Sequence, residues 1–295
     1  MTTESTETPE QADYRAEVRA WYDANATPKR PDDPWATNVH LGADEAQRHF
    51  DASRAWLARL HAAGYSGIAW PAEYGGGGGE SWMTRIEREI AAGYEEWTGF
   101  PGATIAMLGP TLLRHGTEEQ KKEFIPKLLS GELTFCQLFS EPNAGSDLAS
   151  LGTRAVRDGD EFVVTGQKVW NSAAQYCDWG FLLVRTDPDA PKHNGITLFM
   201  VKMDDPGLTI HPMPTMGGER TNGVFFDDVF VHDDYRVGEL NKGFQYIAEA
   251  LDIERFTLFT FSPIRGRMQV LADYVKTATR DGKALKDDPV VRLSL

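Results

Sequence analysis

The feature that most restricts this 295-residue chain is a change in hydrophobic period, from helical to alternating and back again. In the first 130 residues or so, apolar side chains recur every three or four positions. Tyr14, Val18, Trp21 and Tyr22 precede a proline-rich run from Pro28 to Pro34, Phe50, Leu57 and Leu60 mark a second helix, and Met83, Ile86, Ile90, Tyr94 and Trp97 mark a third. Two more helices are predicted, around Ile105 to His115 and from Thr117 to Leu129, the latter with Thr117 as N-cap.

From Leu133 short β-branched and aromatic runs take over, separated by turn residues. Thr153 to Arg157 and Glu161 to Thr165 flank Asp158-Gly159, a hairpin signal, and further strands are predicted at Phe181–Arg185, Ile196–Val201, Leu208–His211 and Val224–Val231. The helical period returns at Asn241 and persists to about Arg280. The pattern predicts an α+β fold with segregated elements and no βαβ alternation. It divides into a disordered tail over 1–10, an N-terminal helical domain over 11–132, a central β-sandwich or barrel-like domain over 133–240, and helices again over 241–295.

Charge narrows the function classes. Thirty basic residues against forty-four acidic ones leave a net charge of -14, which repels nucleic acid and anionic membranes. An anionic ligand would have to be caught by local amides or a few placed arginines. Cys136 and Cys177 lack the paired spacing of a metal site and read as reduced core residues, and no metal site is expected. Met1 to Glu10 carry no targeting pattern and no apolar run is long enough to span a bilayer, so a cytoplasmic location is expected.

Four segments stand out for chemistry. The run Gly75 to Gly79 lacks the strand and lysine of a phosphate-binding loop and reads as a flexible connection. Ser140-Glu141-Pro142-Asn143-Ala144-Gly145-Ser146-Asp147 combines small and hydroxyl-bearing residues at the helical-to-β handover, as either a plain turn or a loop that approaches a ligand. Lys168-Val169-Trp170-Asn171-Ser172 follows a strand, and its tryptophan either packs in the core or stacks on a planar group. On the long helix after the sheet, Ile247, Leu251, Glu254, Leu258 and Phe261 fall within about forty degrees of one line. A carboxylate inside an apolar stripe is either ion-paired, for example with Arg265, or has a raised pKa suited to accepting a proton.

These signals recur in order in one flavoenzyme family. From about Asp13 to Pro289 the chain resembles the acyl-CoA dehydrogenases. The resemblance rests on Trp70-Pro71-Ala72-Glu73-Tyr74-Gly75-Gly76, His115 to Lys121, Ser140 to Asp147, Gly166-Gln167-Lys168-Val169-Trp170, Val224 to Val229 and Leu251-Asp252-Ile253-Glu254-Arg255. It implies an FAD against the β domain. The backbone of Leu138 and Phe139 and the hydroxyl of Ser140 would contact the flavin, with Ser146 near its pyrophosphate and the substrate, and Trp170, Asn171 and Ser172 would line the other side. Asp252 and Arg255 correspond to acyl-CoA contacts, and Glu254 to the base that isovaleryl-CoA and long-chain dehydrogenases carry just before this arginine. The implied reaction is α,β-dehydrogenation of an acyl-CoA thioester, with an electron-transfer flavoprotein as acceptor and a homo- or hetero-oligomer as the assembly.

The chain also departs from the family. Thr279-Arg280-Asp281-Gly282 replaces a segment whose arginine reaches the FAD of a neighbouring subunit, leaving a displaced Arg280, and the family's later helices do not follow. The helices over 241–295 are therefore expected to be the start of an incomplete C-terminal bundle, either a fragment or a chain completed by an unlike partner. A non-catalytic subunit, or an oxygen-using oxidase or monooxygenase on the same fold, are the alternatives.

Overall fold

The computed structural model describes the backbone of residues 7–29, 43–95, 98–216, 218, 220–257 and 261–294, and their side chains except those of 43, 44, 253–257, 261–267 and 294. Helices α1 (Pro9–Asn25), α2 (Ala43–Ala62), α3 (Ser81–Ala91), α4 (Gly99–His115) and α5 (Glu118–Leu129) come first. Two of them begin with reciprocal capping. The Thr8 hydroxyl accepts from Gln11 N while the Gln11 side chain accepts from Thr8 N, and Thr117 and Gln120 repeat the arrangement at α5. The first of these boxes orders residues 8–10, within the stretch expected to be a disordered tail.

Val18, Tyr22, Trp56, Leu57, Leu60, Ile86 and Ile90 form one core where α1, α2 and α3 meet. Within it the Tyr22 hydroxyl donates to Glu87, which is 8% exposed. Burial pushes the Glu87 carboxyl above its ordinary range, against the Tyr22 hydrogen bond and the Arg88 charge.

The glycine run after Trp70 is an ordered element. Gly76 N donates to Pro71 O, Gly77 N to Gly67 O, Gly78 N to Trp70 O and Gly79 N to Ile68 O, all at 2.8–3.1 Å. A Cβ on Gly76 would lie 2.4 Å from Trp70 O, so the glycines permit a close chain approach where a flexible connection was expected. The folded loop presses the Trp70 ring onto Gly109 of α4, where a Cβ would sit 2.0 Å from the ring.

The strands are β1 (Phe135–Leu138), β2 (Arg154–Asp158), β3 (Glu161–Lys168), β4 (Trp179–Arg185), β5 (Ile196–Lys202), β6 (Leu208–Pro214), β7 (Arg220–His232) and β8 (Arg236–Val237). They form one sheet in the order β6-β7-β3-β2-β4-β5-β8, with β1 parallel to β4. Asp158 pairs with Glu161, so the hairpin loop is Gly159-Asp160, one residue later than predicted, with Gly159 at φ 62°. Strands β4 and β5 are buried on both faces. Phe181, Leu183, Leu198 and Met200 join Leu108, Leu112, Phe124 and Ile125 on the helical side, whereas Leu182, Val184, Phe199 and Val201 join Phe162, Val164, Val224 and Val229 on the other. The sheet thus packs α4 and α5 on one face and curls over its own strands on the opposite face, the α+β arrangement expected.

Helix α6 (Gly243–Thr257) crosses the helical face of β5, and a Cβ on Gly243 would lie 2.5 Å from Leu198 N. The His115 ring stacks on Tyr246 at 4.0 Å, and Glu249 accepts from Arg114 at 2.5 Å, fixing α6 against the end of α4. Helix α7 (Phe261–Thr277) stops before Arg280, and beyond it Asp281 and Gly282 take left-handed φ values of 50° and 76°. They turn a short hairpin, β9 (Thr279–Arg280) and β10 (Lys283–Ala284), where helix was predicted, and α8 (Pro289–Ser294) follows. No described helix is long and apolar enough to cross a membrane.

Two stability measurements test this packing. Gly109→Ala drives a methyl into the Trp70 ring and is expected to lower stability by about 2 kcal/mol or more, whereas Gly145→Ala, with open space around it, changes little in a thermal melt. Because the Glu87 pKa is raised on folding, its contribution is greatest below the ordinary carboxylate range and is lost as pH rises through that range toward the folded value. Glu87→Gln should therefore melt higher than wild type at pH ~7 and level with it near pH ~4; an equal difference at both values contradicts the assignment.

Candidate active site

A cleft of about 550 Å³ opens where three parts of the fold converge. The end of β1 and the turn after it contribute Gln137, Phe139, Ser140 and Ser146; the residues after β3 contribute Val169, Trp170 and Asn171; α6 contributes Phe244, Ile247, Leu251 and Asp252. The β side carries most of the polar groups and the α6 side is mostly apolar, as suits an amphipathic ligand.

The β-side wall is rigidly specified. Lys168, the last residue of β3, falls on the inward parity of a strand that buries Phe162 and Val164, and is itself 0% exposed. Its ammonium donates to Phe139 O at 3.1 Å and to Glu141 Oε1 at 2.8 Å. Burial pulls the Lys168 pKa down to about 8 despite the Glu141 charge. Burial also raises the Glu141 carboxyl, but the Lys168 ammonium and the donors Thr153 and Gly152 outweigh it, and the group stays below its usual range. Val169 N donates to Ser140 O at 2.8 Å, Asn171 Nδ2 to Gln137 O at 2.7 Å, and buried Asn222 Nδ2 to Asn171 O at 2.7 Å.

Two groups of this wall bear on what it could bind, one an unpaired buried acceptor and the other an exposed ring. Asn171 is 2% exposed, and its Oδ1 is buried with no hydrogen-bond partner among the described residues. A buried acceptor left this way costs about 1–3 kcal/mol, which a ligand N–H or O–H would recover. Trp170 is 62% exposed with φ 63°, a left-handed conformation uncommon for a bulky aromatic, so the core-packing alternative for this residue is excluded. An exposed indole beside an orphaned acceptor and two serine hydroxyls fits a planar, hydrogen-bonding group such as a flavin ring.

Phe139, Ser140, Ser146, Trp170, Asn171 and Asp252 therefore line one cleft. Leu138 is fully buried just behind it, and Ser172 is exposed one residue beyond the lining. Arg280 sits exposed on the β9–β10 hairpin and is not part of the cleft. The side chains of Glu254 and Arg255 lie outside the described residues. Their backbone belongs to α6, and Glu254 comes three residues after the cleft-lining Leu251. Sequence reasoning missed Gln137, His193 and Phe244 in the lining and the Lys168–Glu141 pair behind it. The pair had a legible signal, a lysine at an inward strand position; the others come from separate segments with none.

The family models described as "Acyl-CoA dehydrogenase, N-terminal domain" and "Acyl-CoA dehydrogenase, middle domain" match residues 8–132 and 136–229. "Acyl-CoA dehydrogenase FadE26" of Mycobacterium tuberculosis is 36% identical over 292 residues, covering 98% of this chain and 71% of that protein. Among solved structures, the ChsE4-ChsE5 complex from Mycobacterium tuberculosis is 34% identical with a TM-score of 0.75, covering 98% of this chain and 72% of the other. The Tcur3481-Tcur3483 steroid ACAD is 35% identical with a TM-score of 0.72, covering 97% and 71%.

Trp170 supplies a test of the geometry without ligand. Because Trp170→Gly removes an exposed ring and relieves a left-handed φ, the unfolding free energy should change by less than about 1 kcal/mol, against the ~3–5 kcal/mol lost when a buried tryptophan is truncated.

Proposed function

The chain belongs to the acyl-CoA dehydrogenase family, whose members depend on FAD, and from that premise we propose that it takes part in the α,β-dehydrogenation of an acyl-CoA thioester with Glu254 as the base. The observation that carries the reading is the convergence of the Phe139–Ser146 turn, Trp170-Asn171 and the apolar face of α6 on one cleft. Bound FAD supplies the acceptor for the hydride that leaves the β carbon.

The chain's own residues do the rest. The backbone of Leu138 and Phe139, the hydroxyls of Ser140, Ser146 and Ser172, and Asn171 Oδ1 would hold the cofactor, with Trp170 against its ring. Donors facing a ring that gains electrons stabilise the charge it acquires. Ile247 and Leu251 of α6 would pack on the acyl group and exclude water, with Ser146, Asp252 and Arg255 as further substrate contacts. Glu254 would take the proton from the α carbon, and its place on the helical line of Ile247 and Leu251 favours a carboxylate with raised pKa. Hydride and proton leave from adjacent carbons, so the acyl group gains one double bond.

The relatives extend the reading. Two solved neighbours carry two-chain names, and one is called a steroid ACAD. The proposed assembly is accordingly a pairing with an unlike chain, and the proposed acyl group a bulky lipid such as a steroid side chain. An electron-transfer flavoprotein would reoxidise the flavin, in a cytoplasmic setting.

Glu254→Gln in the whole protein, with any partner chain it requires, should lower turnover by at least about 10³-fold while FAD affinity stays unchanged. Exchange of the substrate α proton into heavy water should fall in parallel, and an unchanged exchange rate would remove Glu254 from the mechanism.

A further inference from the structure

We propose that the buried Lys168–Glu141 pair is a latch that holds the cofactor-facing wall of the cleft in its binding shape, making Lys168 a positioning residue for the flavin. The inference rests on the flavin reading of the cleft. Its geometric basis is that one ion pair ties three separate segments together. Lys168 ends β3; Phe139 O, 3.1 Å from the ammonium, follows β1; Glu141 lies in the next turn. Glu141 also accepts from Gly152 N at 2.6 Å and Thr153 N at 2.9 Å, so the same carboxylate anchors the lead into β2.

The residues that line the cleft are the ones this pair constrains. Phe139 is gripped directly at its carbonyl. Ser140 is held from both sides, by its neighbour Glu141 and by Val169 N, which belongs to the residue after the lysine. Trp170 follows in its left-handed conformation, and Asn171 N then donates to Asn222 O at 3.0 Å. Nothing on the Lys168 side chain reaches the cleft, since the residue is 0% exposed and absent from the lining. Its effect on a ligand must pass through the backbone of 139–141 and 169–170.

A lysine here is chemically specific. A buried ammonium is costly to desolvate, so a structural role alone would be served as well by an apolar residue of similar volume. The ammonium offers what such a residue cannot, simultaneous donation from the end of β3 to the Phe139 carbonyl and the Glu141 carboxylate of the turn after β1. Among the described residues, Glu141 is the charged group acting on Lys168, and the Arg185 guanidinium, which donates to Ala149 O at 2.6 Å, lies within the field of Glu141. With the lysine held near about 8, the charge across the latch is lost within an accessible pH range.

The test measures FAD binding by the whole protein, with any partner chain it requires. Lys168→Met should keep the far-ultraviolet circular dichroism, weaken FAD affinity at least about tenfold and alter the visible band of the bound flavin. Wild-type affinity should decline as pH rises through about 8, and the variant should lack that step. If Lys168→Met does not fold, the isosteric Glu141→Gln decides, with the same loss of affinity and spectral change expected. Wild-type affinity and spectrum in the folded variants overturn the latch while leaving the flavin reading intact. A wild-type protein that binds no FAD overturns both.

Discussion

Burial of both faces of β4 and β5 is the constraint on which the rest of the structure depends. Two central strands with no polar face need an apolar layer on each side. On one side the need is met by α4, α5 and α6, on the other by the curl of β3 and β7 over the same strands. The helical and β halves are therefore joined through side chains of adjacent residues, Phe181 against Leu182 and Leu198 against Phe199, which face opposite layers. The cleft lies where β1 leaves this sheet and α6 crosses it.

Close backbone approach then sets how exactly the helices sit. Gly109 admits the Trp70 ring and Gly243 admits the backbone of Leu198, so α4 and α6 settle nearer to their neighbours than a side chain would permit. The stack of His115 on Tyr246 and the Arg114–Glu249 pair close the α4–α6 contact from its exposed side. Through these contacts the apolar face of α6, with Ile247 and Leu251, is delivered to a wall built by strands more than seventy residues earlier in the chain.

That wall combines a hydrogen-bonded ion-pair network with an unsatisfied buried acceptor and an exposed indole. Behind it, Lys168, Glu141, Asn222 and the amides of Gly152 and Thr153 pair with one another or with the backbone. Beside them, the buried Asn171 Oδ1 has no partner among the described residues and Trp170 stands out from the protein. Buried polar groups are ordinarily paired, and the Asn171 acceptor is the group that the proposed flavin contact would satisfy.

Sequence alone determined the order of helices, sheet and helices, the Thr117 cap, six of the eight strands of the main sheet and the family, because hydrophobic period, capping and motif spacing are properties of neighbouring residues; the short β1 and β8 carry too few residues to show a period. It also singled out Ser140, Ser146, Trp170, Asn171 and Asp252, which the fold brings to one cleft. Other features were decided only in three dimensions. The glycine run looked flexible because its hydrogen-bond partners, from Gly67 to Pro71, become partners only when the loop folds back. The α7 helix looked longer because a turn at Asp281-Gly282 depends on φ rather than on polarity. Whether Trp170 was buried, and that Lys168 found Glu141, depended on contacts between the end of β3 and the turn that follows β1. Pattern fixes which face a residue takes along its own element; only packing between distant elements fixes what that face meets.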